Sequence, residues 1–172
     1  MLHSVFIIPG KKLTDLQKAC ESNRNVFMKE KIDINQVQNS IVDEFLVFDD
    51  WIDKYNYLIE LGKELPVIDS GYKIQDFLIE GCQSKVWLHP EFDGETIIFT
   101  ADSDAIITRG IVSLLIKVLS GRTPDEIIGS DLFFIDKIGL RQNLSPTRSN
   151  GLLSMVRQMK LYAMAYQVKS RK

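Results

Sequence analysis

The chain has 172 residues, with 21 Lys and Arg against 23 Asp and Glu, two cysteines and two histidines. Its 45% hydrophobic content excludes a disordered chain, and the length suits one domain with a real core. Two cysteines exclude a disulfide-dense secreted scaffold, and a formal charge of -2 argues against non-specific nucleic-acid binding.

The near-neutral total hides a division. Residues 1–35 carry six basic and four acidic side chains, residues 36–140 carry eight and 19, and residues 141–172 carry seven and none. An acidic body therefore ends in a basic segment. Either this is a solvated body whose last helix places cations near its C-terminal dipole end, or one charged surface docks a partner.

The apolar run Val5 to Ile8 is too short for a signal h-region, and Pro9-Gly10-Lys11-Lys12 closes it. Ala105 to Leu119 is interrupted by Arg109 and Lys117 and is too short to span a membrane. The expectation is a soluble cytoplasmic protein whose thiols stay reduced. Residues 1–35 read as a loosely ordered N-terminal extension, and residues 36–172 as the folded domain.

In chain order, Ile41, Phe45, Phe48, Ile52, Tyr55 and Ile59 form one stripe and predict a helix from Ser40 to Leu61. Gly62 supplies its stop, and Leu65-Pro66 keeps the chain from re-entering a helix. Three strands are predicted at Asp76 to Ile79, Lys85 to His89 and Thr96 to Thr100. Glu80 to Ser84 joins the first two, and Glu91-Phe92-Asp93-Gly94 turns between the last two.

A buried helix follows, carrying Ile106, Ile107, Ile111, Leu114, Leu115 and Val118. Thr123-Pro124-Asp125-Glu126 is a capping box with proline at the first helical position. A short helix is predicted from Asp131 to Ile138. A last helix, with Leu152, Met155, Val156, Met159, Tyr162 and Tyr166 on its apolar face, starts after Ser145-Pro146 and runs toward Val168. The expected class is α+β, with a small three-stranded antiparallel sheet packed against several helices.

Cys82 lies on the turn between the first two predicted strands. Gly81 before it permits a sharp bend, and a turn tip displays a side chain on a rigid scaffold. The plain alternative is a cysteine packed as a small hydrophobe. Asp102-Ser103-Asp104 would cap the following helix, or form a polar cluster beside the cysteine. Arg148 opposes the dipole at the start of the last helix, which predicts pairing with a carboxylate or an incoming anion.

Four blocks together resemble the SufE family of sulfur acceptors. They are Asp50 to Gly62, Gly81 to Leu88 around the cysteine, Ala101 to Gly110, and Leu144 to Leu152. They stand in family order and span about residues 38–170. The resemblance implies the SufE-like fold. It implies a persulfide-forming Cys82 that takes sulfur from a SufS-like cysteine desulfurase, stimulates that enzyme, and delivers to a Suf-type iron–sulfur scaffold. Pyridoxal phosphate would belong to the desulfurase, so this chain needs no cofactor or metal. Gly81, Gln83, Ser84, Asp102, Asp104 and Arg148 would support the cysteine loop or the partner-facing surface. The first 35 residues match nothing in the family, and Cys20 within them receives no role.

Sulfur transfer between thiols needs a thiolate attacker and a good leaving thiolate, not a metal or a general-base histidine. A cysteine hydrolase would need Cys82 with His3 or His89, and a zinc site would need both cysteines and both histidines to converge. The serious rival is an adaptor that docks a desulfurase without carrying sulfur.

Overall fold

Ile41 and Phe45, one helical turn apart, bury completely on the same side of the first helix, α1 (Ile34–Leu46). The structure is a computed structural model that describes residues 33–65 and 68–170. Ile34–Lys172 forms one contact unit, whereas Cys20, His3 and nearly all of the expected extension lie outside the described residues.

The single helix expected from Ser40 to Leu61 is two. After α1 the chain bends, and α2 (Trp51–Lys63) restarts at Asp50, whose carboxylate accepts the Asp53 N–H at 2.9 Å. The aspartate competes with the helix for its own backbone, as an N-cap does. Ile52, expected in the apolar stripe, is 71% exposed as a result. The stripe continued across the break because the bend preserved the three-to-four residue step.

Gly62 is not the stop expected of it. It is buried inside α2, which ends at Lys63 with Glu64 as its C-cap. Its role is close packing against α3 (Ile106–Leu119). A Cβ on Gly62 would sit 2.8 Å from the Gly110 nitrogen, and one on Gly110 would sit 2.0 Å from the Leu58 carbonyl oxygen. The two glycines let the backbones of α2 and α3 nearly touch.

The sheet has two strands, not three. Strands β1 (Val86–Phe92) and β2 (Ile97–Ser103) pair antiparallel, with Val86 opposite Ser103 and Phe92 opposite Ile97. Val86, Leu88 and Pro90 alternate inward on β1, as do Ile97, Phe99, Ala101 and Ser103 on β2. The turn sits two residues later than expected: Asp93 accepts the Glu95 and Thr96 amides at 2.9 and 2.7 Å. Residues 76–79 do not form a strand. Gln75–Phe77 coils into a 3-10 turn, with the Phe77 and Leu78 amides bonded back to Ile74 and Gln75. Backbone groups closed locally cannot build a ladder, so a single bridge, Leu78 to Trp87, is what remains.

Helix α3 runs through the middle of the core and buries Ile111, Val112, Leu114, Leu115, Val118 and Leu119. Ile106, expected in that core, is exposed at its first turn. Helix α4 (Pro124–Gly129) carries the expected capping box: Thr123 Oγ1 accepts the Glu126 N–H at 3.3 Å, and Glu126 Oε2 accepts the Thr123 N–H at 2.8 Å. The short helix expected over 131–138 contracts to α5 (Phe134–Lys137), followed by α6 (Leu140–Asn143). Helix α7 (Pro146–Ser170) buries Leu152, Met155, Met159 and Ala163. Its Tyr162 and Tyr166 hydroxyls donate to the Leu88 and Pro90 carbonyls of β1 at 3.5 and 3.4 Å. These bonds hold the C-terminal half of α7 along β1. The class is α+β, and no helix among the described residues is long and apolar enough to cross a membrane.

Candidate functional site

Cys82 sits between the bridge residues and β1. Gly81 before it has φ +83, a conformation open to glycine at little cost. A Cβ there would also lie 2.8 Å from Ser154 Oγ on α7, so glycine lets the loop lie flat on that helix. The loop's far end is tied to the end of β2. Asp104 Oδ1 accepts the Lys85 N–H at 3.0 Å, while the Asp104 N–H donates to the Lys85 carbonyl at 3.2 Å. Asp104 thus holds the loop by its backbone rather than touching the sulfur.

The loop turns Cys82 toward α7. Its thiol is half-buried and donates to the Gly151 carbonyl, with 3.6 Å between sulfur and oxygen. Gly151 is a helix-interior glycine, ordinarily a cost of about 1 kcal/mol against alanine. A Cβ at that position would lie 3.4 Å from the sulfur, so its absence leaves the thiol room. Burial pushes the Cys82 pKa above its ordinary value of 9.0. The thiol in this conformation is protonated at neutral pH.

A cavity of about 290 Å³ opens beside the sulfur. Cys82, Gln83, Ser84 and Arg148, all expected at the site, line it. Arg148 is exposed, and among the described residues no carboxylate lies within ion-pair distance of it. The carboxylate partner expected for it is therefore not found there.

Asp102 stands apart from this cavity. Burial works to raise its pKa, but the Lys73 ammonium at 2.6 Å, the Ser103 amide and the Arg109 guanidinium hold it below the usual carboxylate value. Arg109 Nε is 3.1 Å from Asp102 Oδ1, near enough for attraction but without hydrogen-bond alignment. The Asp102–Asp104 cluster also does not cap α3 by side chain. The residue at the cap is Ala105, whose N–H donates to Ser103 Oγ at 3.3 Å, one step ahead of the helix.

Sequence reasoning gave no site role to Thr108, Ile111, Thr147, Gly151 and Met155, which complete the wall with Ala105, although it placed Ile111 and Met155 on apolar helix faces and Thr147 and Gly151 in a motif block. Gly151 carried a signal, a glycine inside an otherwise helical pattern. Thr108 carried a weaker one, a hydroxyl on an apolar face. His89 does not line the cavity. It stacks on Tyr72 at 3.6 Å and meets the Phe77 edge at 4.8 Å, and burial lowers its pKa. No group of three or more metal-ligating side chains occurs among the described residues.

Comparison with known proteins agrees with the four motif blocks. The SufE family profile, described as the Fe-S metabolism associated domain, matches residues 39–163. An uncharacterised SufE-like protein of Rhizobium etli is 45% identical over 127 residues, covering 71% of this chain and 86% of its own. A second, of Rhizobium meliloti, is 41% identical over 127 residues, covering 71% and 91%. The chloroplastic/mitochondrial SufE-like protein 1 of Arabidopsis thaliana is 43% identical over 117 residues, which are 67% of this chain but only 32% of that longer protein. A solution structure of a hypothetical protein from Thermus thermophilus shares the fold, with a TM-score of 0.64 at 16% identity over 77% of this chain and 96% of that one. The chain belongs to the SufE family, whose domain is associated with Fe–S metabolism.

Proposed function

We propose that this protein is a sulfur acceptor and carrier. In this reading a SufS-like, pyridoxal phosphate-dependent cysteine desulfurase presents a persulfide in the cytoplasm. The Cys82 thiolate attacks the terminal sulfur, the partner's S–S bond breaks, and the partner cysteine leaves as a thiolate. Cys82 then holds the persulfide, stimulates further turnover by clearing the desulfurase, and delivers sulfur to a Suf-type iron–sulfur scaffold. The chain itself needs no cofactor or metal for this exchange.

The observation that carries the reading is the placement of Cys82. The thiol sits on a glycine turn, half-buried at the edge of the core and folded against Gly151 beside a cavity. Half-burial shields a reactive sulfur from solvent oxidants and reductants. The same burial keeps the thiol protonated, so attack requires the loop of Gly81 to Ser84 to swing outward when the partner docks. Gly81 is the hinge such motion would use, and Asp104 is the anchor behind it.

The decisive experiment is intact mass after incubation with L-cysteine and a desulfurase. Adducts of about 32 Da that disappear in Cys82→Ser are expected for a carrier. An adaptor that only docks would show no adduct, and its Cys82→Ser variant would stimulate the desulfurase as well as the original chain. Identical amide-exchange protection of the loop with and without the desulfurase would contradict the swing.

A further inference from the structure

The neck of the cysteine loop is fastened differently on its two sides. On the exit side, Asp104 holds Lys85 by both its amide and its carbonyl. On the entry side the Ile79 N–H donates to the Val86 carbonyl at 2.8 Å. The chain feeding that entry side, Asp69 to Leu78, is an arm laid on the surface, and none of its residues is buried. Side chains tie it to the sheet. The Tyr72 ring stacks on His89 of β1 at 3.6 Å, and the Phe77 edge meets the same imidazole at 4.8 Å. Lys73 Nζ reaches Asp102 Oδ2 of β2 at 2.6 Å. Asp102 is paired with Trp87, the residue that bridges Leu78, so this ion pair stands next to the neck. A segment with no buried side chain is among the first parts of a fold to open.

Asp102 has a second cation in reach. Its side chain is only 15% exposed, so losing Lys73 and gaining nothing would strand a shielded charge. Arg109 Nε lies 3.1 Å from the other oxygen, Oδ1, which also accepts the Ser103 amide at 2.8 Å. That Nε is a buried donor with no hydrogen-bond partner among the described residues. The distance is already right, and only the alignment is missing. A carboxylate gripped by one cation and flanked by an unsatisfied second has two arrangements: Lys73 on with the arm down, or Arg109 on with the arm up.

We infer that the Cys82 loop swings open on its entry side. Lys73 leaves Asp102, the arm lifts, the Ile79–Val86 bond breaks, and Arg109 takes over the carboxylate. Lys73 and Arg109 are then positioning residues of opposite effect. Lys73 keeps Cys82 in its shielded place, and Arg109 stabilises the exposed one. The inference rests on the reading of Cys82 as a carrier whose loop moves, and it names the bonds that let go.

The test follows alkylation of Cys82 by iodoacetamide in the full chain, read by mass on the peptide that contains it. Lys73→Met is expected to react several-fold faster than the original chain, because the latch is gone. Arg109→Met is expected to react several-fold slower, because opening then leaves Asp102 unpaired. Lys73→Arg keeps the latch and should stay near the original rate. Urea midpoints accompany each rate, since mere loss of stability would accelerate both methionine variants together. A Lys73→Met rate no higher than the original, or an Arg109→Met rate no lower, overturns the handover. In Asp102→Asn the rate should rise, and adding Arg109→Met should then change nothing; slowing in that double variant would also overturn it. Hydrogen exchange on the unmutated chain is a measurement that no folding defect can obscure. The Ile79 amide should exchange together with those of Phe77 and Leu78, and faster than that of Lys85. An Ile79 amide that outlasts Lys85 would place the opening on the other side of the loop. None of these measurements uses a desulfurase. Failure to load sulfur on Cys82 therefore counts against the carrier reading, and the alkylation and exchange results count for or against the latch.

Discussion

The carbonyl oxygen of Gly151 stands 3.6 Å from the Cys82 sulfur, and the missing side chain at 151 leaves the thiol room against α7. Alanine there would bring its Cβ to 3.4 Å, ordinary van der Waals contact. Gly151→Ala is therefore expected to fold normally and to gain up to about 1 kcal/mol from helix propensity, read by urea denaturation. Gly151→Leu has no such room. It should displace the cysteine loop and raise the rate of Cys82 alkylation by iodoacetamide several-fold, with the two variants differing far more in reactivity than in fold.

Asp104 acts on the loop through the backbone of Lys85. Asp104→Ala removes the carboxylate from the Lys85 amide and should cost about 1 kcal/mol in stability. Hydrogen exchange should show the Lys85 amide losing protection while the β1–β2 ladder amides keep theirs. Unchanged exchange at Lys85 would mean the loop is held by something else.

Cys82 gives a pH dependence of defined sign. Its folded pKa is raised by burial, so folding favours the protonated thiol. The contribution is complete below the unfolded thiol pKa and is lost as pH rises through the folded one. Stability should therefore decline above about pH 9 in the original chain, and decline less in Cys82→Ser. The alkylation rate of Cys82 should titrate with an apparent pKa above that of a free cysteine peptide, and an apparent pKa at or below it would refute the burial argument.

The meeting of Gly62 and Gly110 gives a stability prediction away from the site. A Cβ at 110 would stand 2.0 Å from the Leu58 carbonyl oxygen, which is backbone and cannot rotate away. Gly110→Ala should cost about 3 kcal/mol, because α2 and α3 must separate. Gly129→Ala, with nothing within 4 Å of its Cβ, should change the urea midpoint little.

Local chemistry made several features legible without coordinates. The Thr123 capping box and the start of α7 at Pro146 lie in residues that act on their own backbone neighbours. The same holds for the turn glycine at 81, whose φ of +83 follows from the demand of a sharp bend. Asp50 is the counterexample. Its capping role was equally local, but an uninterrupted apolar stripe concealed it.

The family, the cysteine loop and the α+β class were readable from the residues alone, because four motif blocks and the helical periods depend only on nearby positions. Packing settled the rest. Residues 75–77 close on themselves, so the expected third strand is a single bridge. Gly62 is a helix contact rather than a stop, since only the crossing of α3 reveals what its missing side chain admits. The separation of Asp102 from the cavity, and the convergence of Thr108, Arg148 and Gly151 on Cys82, follow from how α3 and α7 pack around the loop. Those residues lie 26 to 69 positions from the cysteine, and no local propensity reaches across such distances.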